Sequence, residues 1–228
     1  MRRSIIIAVF FVIGVVCSYA QKHDFANWDR YHKANNEIGQ PAKGDKRVVL
    51  FGNSITDFWP NKRPDFFKEN RLIGRGISGQ TSYQFVLRFY EDVINLQPKV
   101  VVINYGTNDI AENTGAYNED YTFNNVRMMC ESAKANKVKV ILASCLPAKD
   151  FYWHKEIQGA MEKVRHLNAR VKAYAKANKI PYVDYFSAMI SDDGTQLRED
   201  LSPDGIHPNE KGYEIMESLL LPVIKKMR

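Results

Sequence analysis

A serine, an aspartate and a histidine occupy positions from which they could carry out acyl transfer together. Ser54 lies in the segment 52–57, between an apolar run and a helical pattern. A serine in such a turn is exposed near the positive end of a helix, where an oxyanion is stabilised. Asp204 and His207 are three residues apart in a loop, so one turn can hold a carboxylate beside an imidazole and fix its tautomer. Serine is also a common helix N-cap, so each piece alone has a structural alternative.

Two further loops offer hydrogen-bond donors for negative charge. The segment 74–81 has three glycines within six positions, which lets the backbone turn sharply and present bare N–H groups. It lacks the G-x-G-x-x-G spacing and the lysine of a P-loop, so the pattern disfavours nucleotide binding and suits an oxyanion hole or a plain turn. Asn108 in the segment 105–109 can aim a side-chain N–H at developing charge, although Asn also caps helices.

Each of the first three segments follows a short apolar run that is typical of a strand. The candidate strands are residues 47–51, 71–74, 99–104, 138–144 and 182–184. Those at 99–104 and 138–144 are almost continuously apolar, as expected of strands covered on both faces. The sequence therefore predicts central strands of a parallel sheet.

Apolar residues at helical spacing separate these strands. The stripes span residues 86–93, 126–133, 157–174 and 213–223, with a further helix predicted near 26–36. Alternation of strand and helix predicts an α/β fold with an open, doubly wound sheet. In such sheets ligands bind outside the carboxyl ends of the strands, which is where the four segments with candidate chemistry are expected.

The amino terminus is typical of a secretory signal peptide. Arg2 and Arg3 precede a twelve-residue apolar run at 5–16, which is shorter than the ~18–20 residues of a spanning helix. Ser18 and Ala20 supply small residues at a cleavage site. We therefore expect export, with a periplasmic or secreted protein of Gram-negative type, and no stable membrane insertion after cleavage. An uncleaved anchor and a lipoprotein are the alternatives.

Composition fits one folded domain. The 228 residues are 45% hydrophobic and 25% charged, so we expect a signal peptide at 1–20 and a single domain at 21–228. Removing the signal lowers the formal net charge from +6 to +4, and the remaining basic residues are scattered, which argues against a nucleic-acid partner. Only Cys130 and Cys145 remain, in apolar runs, and buried free thiols are favoured over a disulfide.

The four segments, taken in order, resemble the motif blocks of the SGNH/GDSL hydrolase family. The blocks are the runs G-N-S-I-T-D, R-G-I-S-G-Q-T, G-T-N-D and D-G-I-H-P-N, within residues 48–213. The likeness is greatest to secreted bacterial esterases similar to the platelet-activating-factor acetylhydrolase subunits. It implies a flavodoxin-like three-layer α/β/α sandwich with a five-stranded parallel sheet.

The resemblance also implies roles for individual residues. Ser54 would be the nucleophile, His207 its general base and Asp204 the residue that orients the imidazole. The oxyanion hole would consist of the N–H groups of Ser54 and Gly79 and the side chain of Asn108. In this chain Asn53 stands where the family name has aspartate, which puts a role for a carboxylate there in doubt.

A serine esterase acting on short acyl, chiefly acetyl, esters of O-acetylated carbohydrates is the expected function. An acetylhydrolase or lysophospholipase acting on phospholipid-type esters is the alternative, and a non-catalytic carbohydrate-binding module is a distant one. The expected partner is a small-molecule or glycan ester; no cofactor or metal is expected, and the oligomeric state is left open. Four aromatic residues are candidates to line the mouth of the site, although they could equally pack in the core: Phe58, Trp59, Tyr83 and Trp153.

Overall fold

A computed structural model describes residues 24–228 of the chain. Its strands are β1 (Val48–Gly52), β2 (Leu72–Gly76), β3 (Val100–Ile103), β4 (Lys139–Ala143) and β5 (Tyr182–Val183). Its helices are α1 (Asp29–Ile38), α2 (Ser54–Lys62), α3 (Pro64–Glu69), α4 (Ser82–Asp92), α5 (Thr107–Ile110), α6 (Glu119–Ala135), α7 (Ala160–Ala177), α8 (Tyr185–Met189) and α9 (Glu210–Met227). The predicted signal peptide at 1–20 lies outside the described residues.

The five strands form one parallel sheet in the order β2-β1-β3-β4-β5. Val48 of β1 pairs with Leu72 on one side and with Val100 on the other. This is the flavodoxin-like order, in which the chain switches direction between β1 and β3 and leaves a crevice at their carboxyl ends. The predicted fold class is confirmed, and each predicted strand lies within two residues of an observed one.

Two apolar cores enclose the sheet, one on each face. Side chains alternate along a strand, so Val49 and Phe51 of β1 enter the core under α4, α6 and α7. Val48 and Leu50 enter the opposite core, which α2, α3, α8 and α9 cover. All four side chains are essentially inaccessible to solvent, and burial of each stabilises the fold by about 1.5–3 kcal/mol. The rigid double-sided packing fixes where the carboxyl ends of β1 and β3 lie.

Two helices differ in extent from their sequence patterns. The stripe that begins at Ile157 becomes helical only at Ala160, because Gly159 has a left-handed backbone with φ of +67°. The helix predicted near 26–36 is α1, which contains no buried residue and contacts α4 through Asn35, whose Nδ2 donates to Asp92 Oδ1 at 2.8 Å. Trp28, the residue before α1, donates its indole N–H to the Leu87 carbonyl at 3.2 Å. α1 therefore lies on the outside of the fold and packs against α4.

Both described cysteines are buried free thiols, as expected. Burial raises the pKa of Cys130 to about 12 and raises that of Cys145 as well. Across residues 24–228, we find no helix whose length and apolar character would let it span a bilayer.

Candidate active site

Ser54 lies at the first position of α2, directly beyond the end of β1. Asn53 caps this helix, since its Oδ1 accepts a hydrogen bond from the Ile55 N–H at 3.2 Å. Ser54 is only 8% exposed, and its own N–H is at the positive end of the helix. Gly76 lets the end of β2 approach this turn, because a Cβ there would meet the Asp57 nitrogen at 2.1 Å.

Asp204, His207 and Ser54 form a continuous hydrogen-bonded chain. Ser54 Oγ is 2.9 Å from His207 Nε2, and His207 Nδ1 is 2.7 Å from Asp204 Oδ2. With the Nδ1–H directed at the carboxylate, Nε2 is left to accept the serine proton. The sequence placed Ser54 about 150 positions from the other two, and the fold brings all three together.

A short turn holds Asp204 in this orientation. Its Oδ1 accepts the backbone N–H groups of Ile206 and His207 at 2.9 and 2.7 Å. Burial alone would raise the pKa of the Asp204 carboxyl, but these bonds and the imidazole outweigh it and the pKa is lowered. The carboxylate is therefore ionised and aimed at His207.

The loop between β2 and α4 carries Gly79, whose φ of +78° places it in the left-handed region. Gly79 is exposed, and its N–H donates to no other group among residues 24–228. Asn108 lies at the start of α5 and is 3% exposed. Its Nδ2 donates one hydrogen to the Gln80 carbonyl at 2.9 Å, which leaves the second N–H for a ligand.

Asn113, which belongs to none of the four motif segments, joins these two donors. Its backbone N–H donates to the Asn108 carbonyl at 3.1 Å, and its Nδ2 donates to the Gly79 carbonyl at 2.9 Å. Its Oδ1 accepts the indole N–H of Trp153, also at 2.9 Å. The backbone and side chain of Asn113 together thus connect both candidate oxyanion residues to an aromatic side chain.

Arg88, also outside these segments, is a fully buried cation beneath the site. Its guanidinium donates to the carbonyls of Gly52 and Arg75 at 2.8 and 3.0 Å, which ties the ends of β1 and β2 together. It also donates to Gln80 Oε1 at 2.6 Å and to Asp92 Oδ2 at 2.8 Å. The spacing of Arg88 and Asp92, four residues apart in a predicted helix, is the sequence signal for this ion pair, but it does not indicate the carbonyls that Arg88 also contacts.

Two carboxylates that the motifs contain fasten loops rather than face the serine. Asp109 is almost fully buried and accepts the Ser82 N–H and the hydroxyls of Ser82 and Thr122. Burial raises the pKa of Asp109, and these hydrogen bonds oppose that rise. Asp57 accepts the N–H and the hydroxyl of Ser78 at 3.1 and 2.8 Å. The segments of the site are thereby joined to one another.

The four aromatic candidates are in different environments. The ring of Phe58 is 37% exposed and 5.3 Å from the His207 ring, at the mouth of the site. Trp153 is half-buried and joins the oxyanion side through its hydrogen bond to Asn113. Tyr83 is half-buried near Asp109 and has no hydrogen bond to the catalytic candidates within the part of the chain that the structure describes.

The prediction that Trp59 lines the mouth is wrong. Trp59 is 3% exposed, stacks on Tyr213 at 5.1 Å and donates its indole N–H to Glu217 at 3.1 Å. It follows Ile55 by four positions on α2, so both side chains share the inward face of the helix. Phe58, one position earlier, lies about 100° around the helix from Trp59, next to His207.

A polar cleft of about 490 Å³ adjoins Asp204. It lies between the loop at Lys149 and Asp150 and the segment 196–205. Among residues 24–228, no cluster of three or more His, Cys, Asp or Glu side chains is arranged to hold a metal ion. The described groups thus provide a hydroxyl with an adjacent base, backbone and amide N–H groups on neighbouring loops, and a polar cleft beside Asp204.

Comparison with known proteins identifies the family. Residues 50–215 match the model of the GDSL-like lipase/acylhydrolase family. The structure is similar to that of a GDSL-like lipase from Bacteroides thetaiotaomicron, with 58% identity and a TM-score of 0.88, over 90% of this chain and all of that one. The human isoamyl acetate-hydrolyzing esterase 1 homolog is 30% identical, over 79% of this chain and 82% of that protein.

An acetylxylan esterase of Xylanibacter ruminicola is 25% identical over 88% of this chain, which spans about half (49%) of that enzyme. The family match covers well over half of the chain, and it includes all four motif segments. The chain therefore belongs to the GDSL-like lipase/acylhydrolase family and is a carboxylic-ester hydrolase.

Proposed function

We propose that this protein removes acetyl groups from O-acetylated carbohydrates, using Ser54, His207 and Asp204 as a catalytic triad. The observation that carries the proposal is the hydrogen-bonded chain from Ser54 Oγ to His207 Nε2, at 2.9 Å, and from His207 Nδ1 to Asp204, at 2.7 Å. A serine hydroxyl is a weak nucleophile unless an adjacent base accepts its proton. This geometry supplies that base and a carboxylate that fixes its tautomer.

The reaction proceeds through an acyl-enzyme. Ser54 Oγ attacks the ester carbonyl while its proton passes to His207 Nε2. His207 then returns this proton to the leaving alcohol as the ester C–O bond breaks. Water then attacks the acetyl carbonyl while one of its protons passes to His207. The bond between this carbon and Ser54 Oγ breaks, His207 returns the proton to Oγ, and acetic acid leaves and ionises to acetate. Asp204 stabilises the imidazolium in both halves without taking the proton.

Negative charge gathers on the former carbonyl oxygen during both attacks. The N–H groups of Ser54 and Gly79 and the second N–H of Asn108 are the proposed donors to it. Each such donor is worth about 10²–10³ in turnover, because it is already oriented when the charge develops.

The polar surroundings support a carbohydrate as the alcohol. The cleft beside Asp204 is lined mainly by charged and hydrogen-bonding residues, with Lys149 and Asp150 on one side and Gln196 and Glu199 on the other. Hydroxyl-rich rings can exchange hydrogen bonds with such groups, and the exposed faces of aromatic residues such as Phe58 stack on sugars. The name of the Xylanibacter relative, an acetylxylan esterase, agrees with this class.

Release of acetate from a panel of esters tests the proposal. Acetylated xylan and O-acetylated sialic acid should be hydrolysed faster than a lysophospholipid, whose long chain needs apolar surface. The opposite order would favour the phospholipid-type acetylhydrolase. A fluorophosphonate probe should label wild-type protein at Ser54 and fail to label Ser54→Ala. An unlabelled wild-type protein would instead indicate a binding module without catalysis.

A further inference from the structure

The amino-terminal segment 25–35 runs along the outer side of the loop that carries Gly79. We call this segment, which includes the first two turns of α1, the strap. It lies outside residues 50–215, the part that matches the family model. The strap nevertheless makes polar contacts with the loop at several successive positions.

The first contacts hold the start of the loop. The Tyr31 hydroxyl donates to the Gly76 carbonyl, and Arg75 Nε donates to Asn35 Oδ1 at 2.7 Å. The guanidinium groups of Arg30 and Arg75 lie over the Tyr31 ring, 5.1 and 4.6 Å from its centre. Burial, and then the charge of Asp57, raises the pKa of Tyr31 to about 12, so this hydroxyl remains a donor at neutral pH.

A second contact reaches the middle of the loop through Asp57. Arg30 Nη2 is 3.2 Å from Asp57 Oδ1, while Asp57 Oδ2 accepts the N–H and the hydroxyl of Ser78. The Arg30 side chain is 49% exposed, and such an ion pair contributes little to global stability. Its clearest effect is to fix the carboxylate that anchors the residue before Gly79.

The third contact reaches Asn108. Gln80 is 3% exposed, and its Nε2 donates to the Ala26 carbonyl at 2.8 Å. The Gln80 backbone carbonyl accepts the hydrogen bond from Asn108 Nδ2. The residue after Gly79 therefore connects the strap to the side-chain amide of Asn108, a proposed oxyanion donor.

We infer that the strap is a positioning element for the oxyanion donors Gly79 and Asn108, with Tyr31 and Arg30 as its principal side chains. The inference rests on the proposed function, because it assigns the strap a role in the same acyl transfer. The strap touches none of the reacting atoms. It acts by fixing the residues on either side of Gly79, and a displacement of roughly 1 Å in such groups can cost 10²-fold in rate.

Tyr31→Phe and Arg30→Ala, singly and combined, test the inference in the full chain. We expect the combined variant to lose about tenfold in kcat for a soluble acetyl ester, with KM and the shape of the pH profile unchanged, because the acid–base residues stay in place. The rate of fluorophosphonate labelling should fall in parallel. Arg30→Lys should recover part of the loss. Lys33→Ala, on the same helix, removes an exposed side chain that pairs with Glu37 at 3.8 Å; it is the matched control and should behave as wild type.

A combined variant with Asn108→Ala distinguishes positioning from general loosening of the fold. If the strap acts through Asn108, the Tyr31→Phe and Arg30→Ala substitutions should lower kcat by a smaller factor in the Asn108→Ala protein than in the wild-type protein. Equal costs in both backgrounds, or kcat at the wild-type value with only a lower Tm, would overturn the inference. Arg30→Ala alone suffices should the combined variant fail to fold, since Arg30 is exposed. A wild-type protein that the probe does not label would refute the proposed function instead.

Discussion

Asp204 and His207 are held by their own turn, whereas the loops that carry Gly79 and Asn108 are held by hydrogen bonds to distant parts of the chain. Both backbone bonds to Asp204 come from residues within three positions of it. On the oxyanion side, by contrast, Gln80 is fixed by Ala26 and Arg88. The acid–base side is a local structure, and the oxyanion side is a junction of several elements.

This difference predicts how each side responds to substitution. A locally held pair should be damaged only by changes within its turn. A junction should be sensitive to changes far from the chemistry, and those changes should lower kcat without altering the proton transfer that sets the pH profile. Variants on the two sides therefore separate the contribution of proton transfer to kcat from that of the oxyanion donors.

The largest effect is expected for Asp204→Asn. The amide cannot stabilise an imidazolium and can donate toward Nδ1, which leaves the wrong tautomer facing Ser54. We expect kcat to fall on the order of 10⁴-fold. Steady-state hydrolysis of a soluble acetyl ester measures this effect, and a loss of less than tenfold would contradict the assigned role.

The pH dependence of unfolding provides a control for the same substitution. Because the pKa of Asp204 is lowered in the folded state, its stabilising contribution is complete above the ordinary aspartate pKa of about 3.9. It is lost as the pH falls through the lower folded value. The stability difference between wild type and Asp204→Asn should therefore shrink as the pH falls below about 4.

On the oxyanion side, Asn108→Ala removes one proposed donor and the bond to the Gln80 carbonyl. We expect kcat to fall by about 10²–10³, with an unchanged pH profile because Ser54, His207 and Asp204 are untouched. Full pH–rate profiles of both proteins check this. A shifted profile would show that the two sides are not independent.

The sequence predicted the local side better than the junction. Alternation of apolar runs predicted the sheet, and the spacing of Asp204 and His207 predicted their turn, because both signals reside in neighbouring residues. Arg88 and Asn113 act through carbonyls of residues remote in sequence, which no local pattern encodes. The prediction for Trp59 was wrong for a related reason. An aromatic residue near a motif can line the site or pack in the core, and only the orientation of α2 determines which of the two occurs.

A variant at Arg88 tests the framework beneath the junction. Arg88→Met leaves Asp92 buried without its cation and removes the guanidinium donor from the Gly52 and Arg75 carbonyls. We expect a loss of about 3–5 kcal/mol in the free energy of unfolding, and a fall of roughly tenfold in kcat. Denaturant unfolding and steady-state kinetics measure the two effects separately.

The double variant Arg88→Met with Asp92→Leu separates charge burial from positioning. Replacing both partners removes the unpaired buried charge, so much of the stability should return. The kcat should stay low, since Gln80 and the ends of β1 and β2 still lack their donor. Recovery of kcat together with stability would show that Arg88 serves stability alone.

The smallest effect is expected for Asn53→Asp, which restores the aspartate of the family name. Asn and Asp cap helices equally well, and a carboxylate can accept the Ile55 N–H as the amide oxygen does. Attraction to the positive end of α2 opposes the cost of burying the charge, so we expect a change below about 1 kcal/mol in unfolding free energy and a kcat within about threefold. Asn53→Ala, which deletes the cap, should cost about 1 kcal/mol. A tenfold change in kcat for Asn53→Asp would mean that a negative charge beside Ser54 alters the stability of the oxyanion. The kcat would then be as sensitive to substitutions in the Ser54 turn as to substitutions on the oxyanion side, although the turn is held by local contacts.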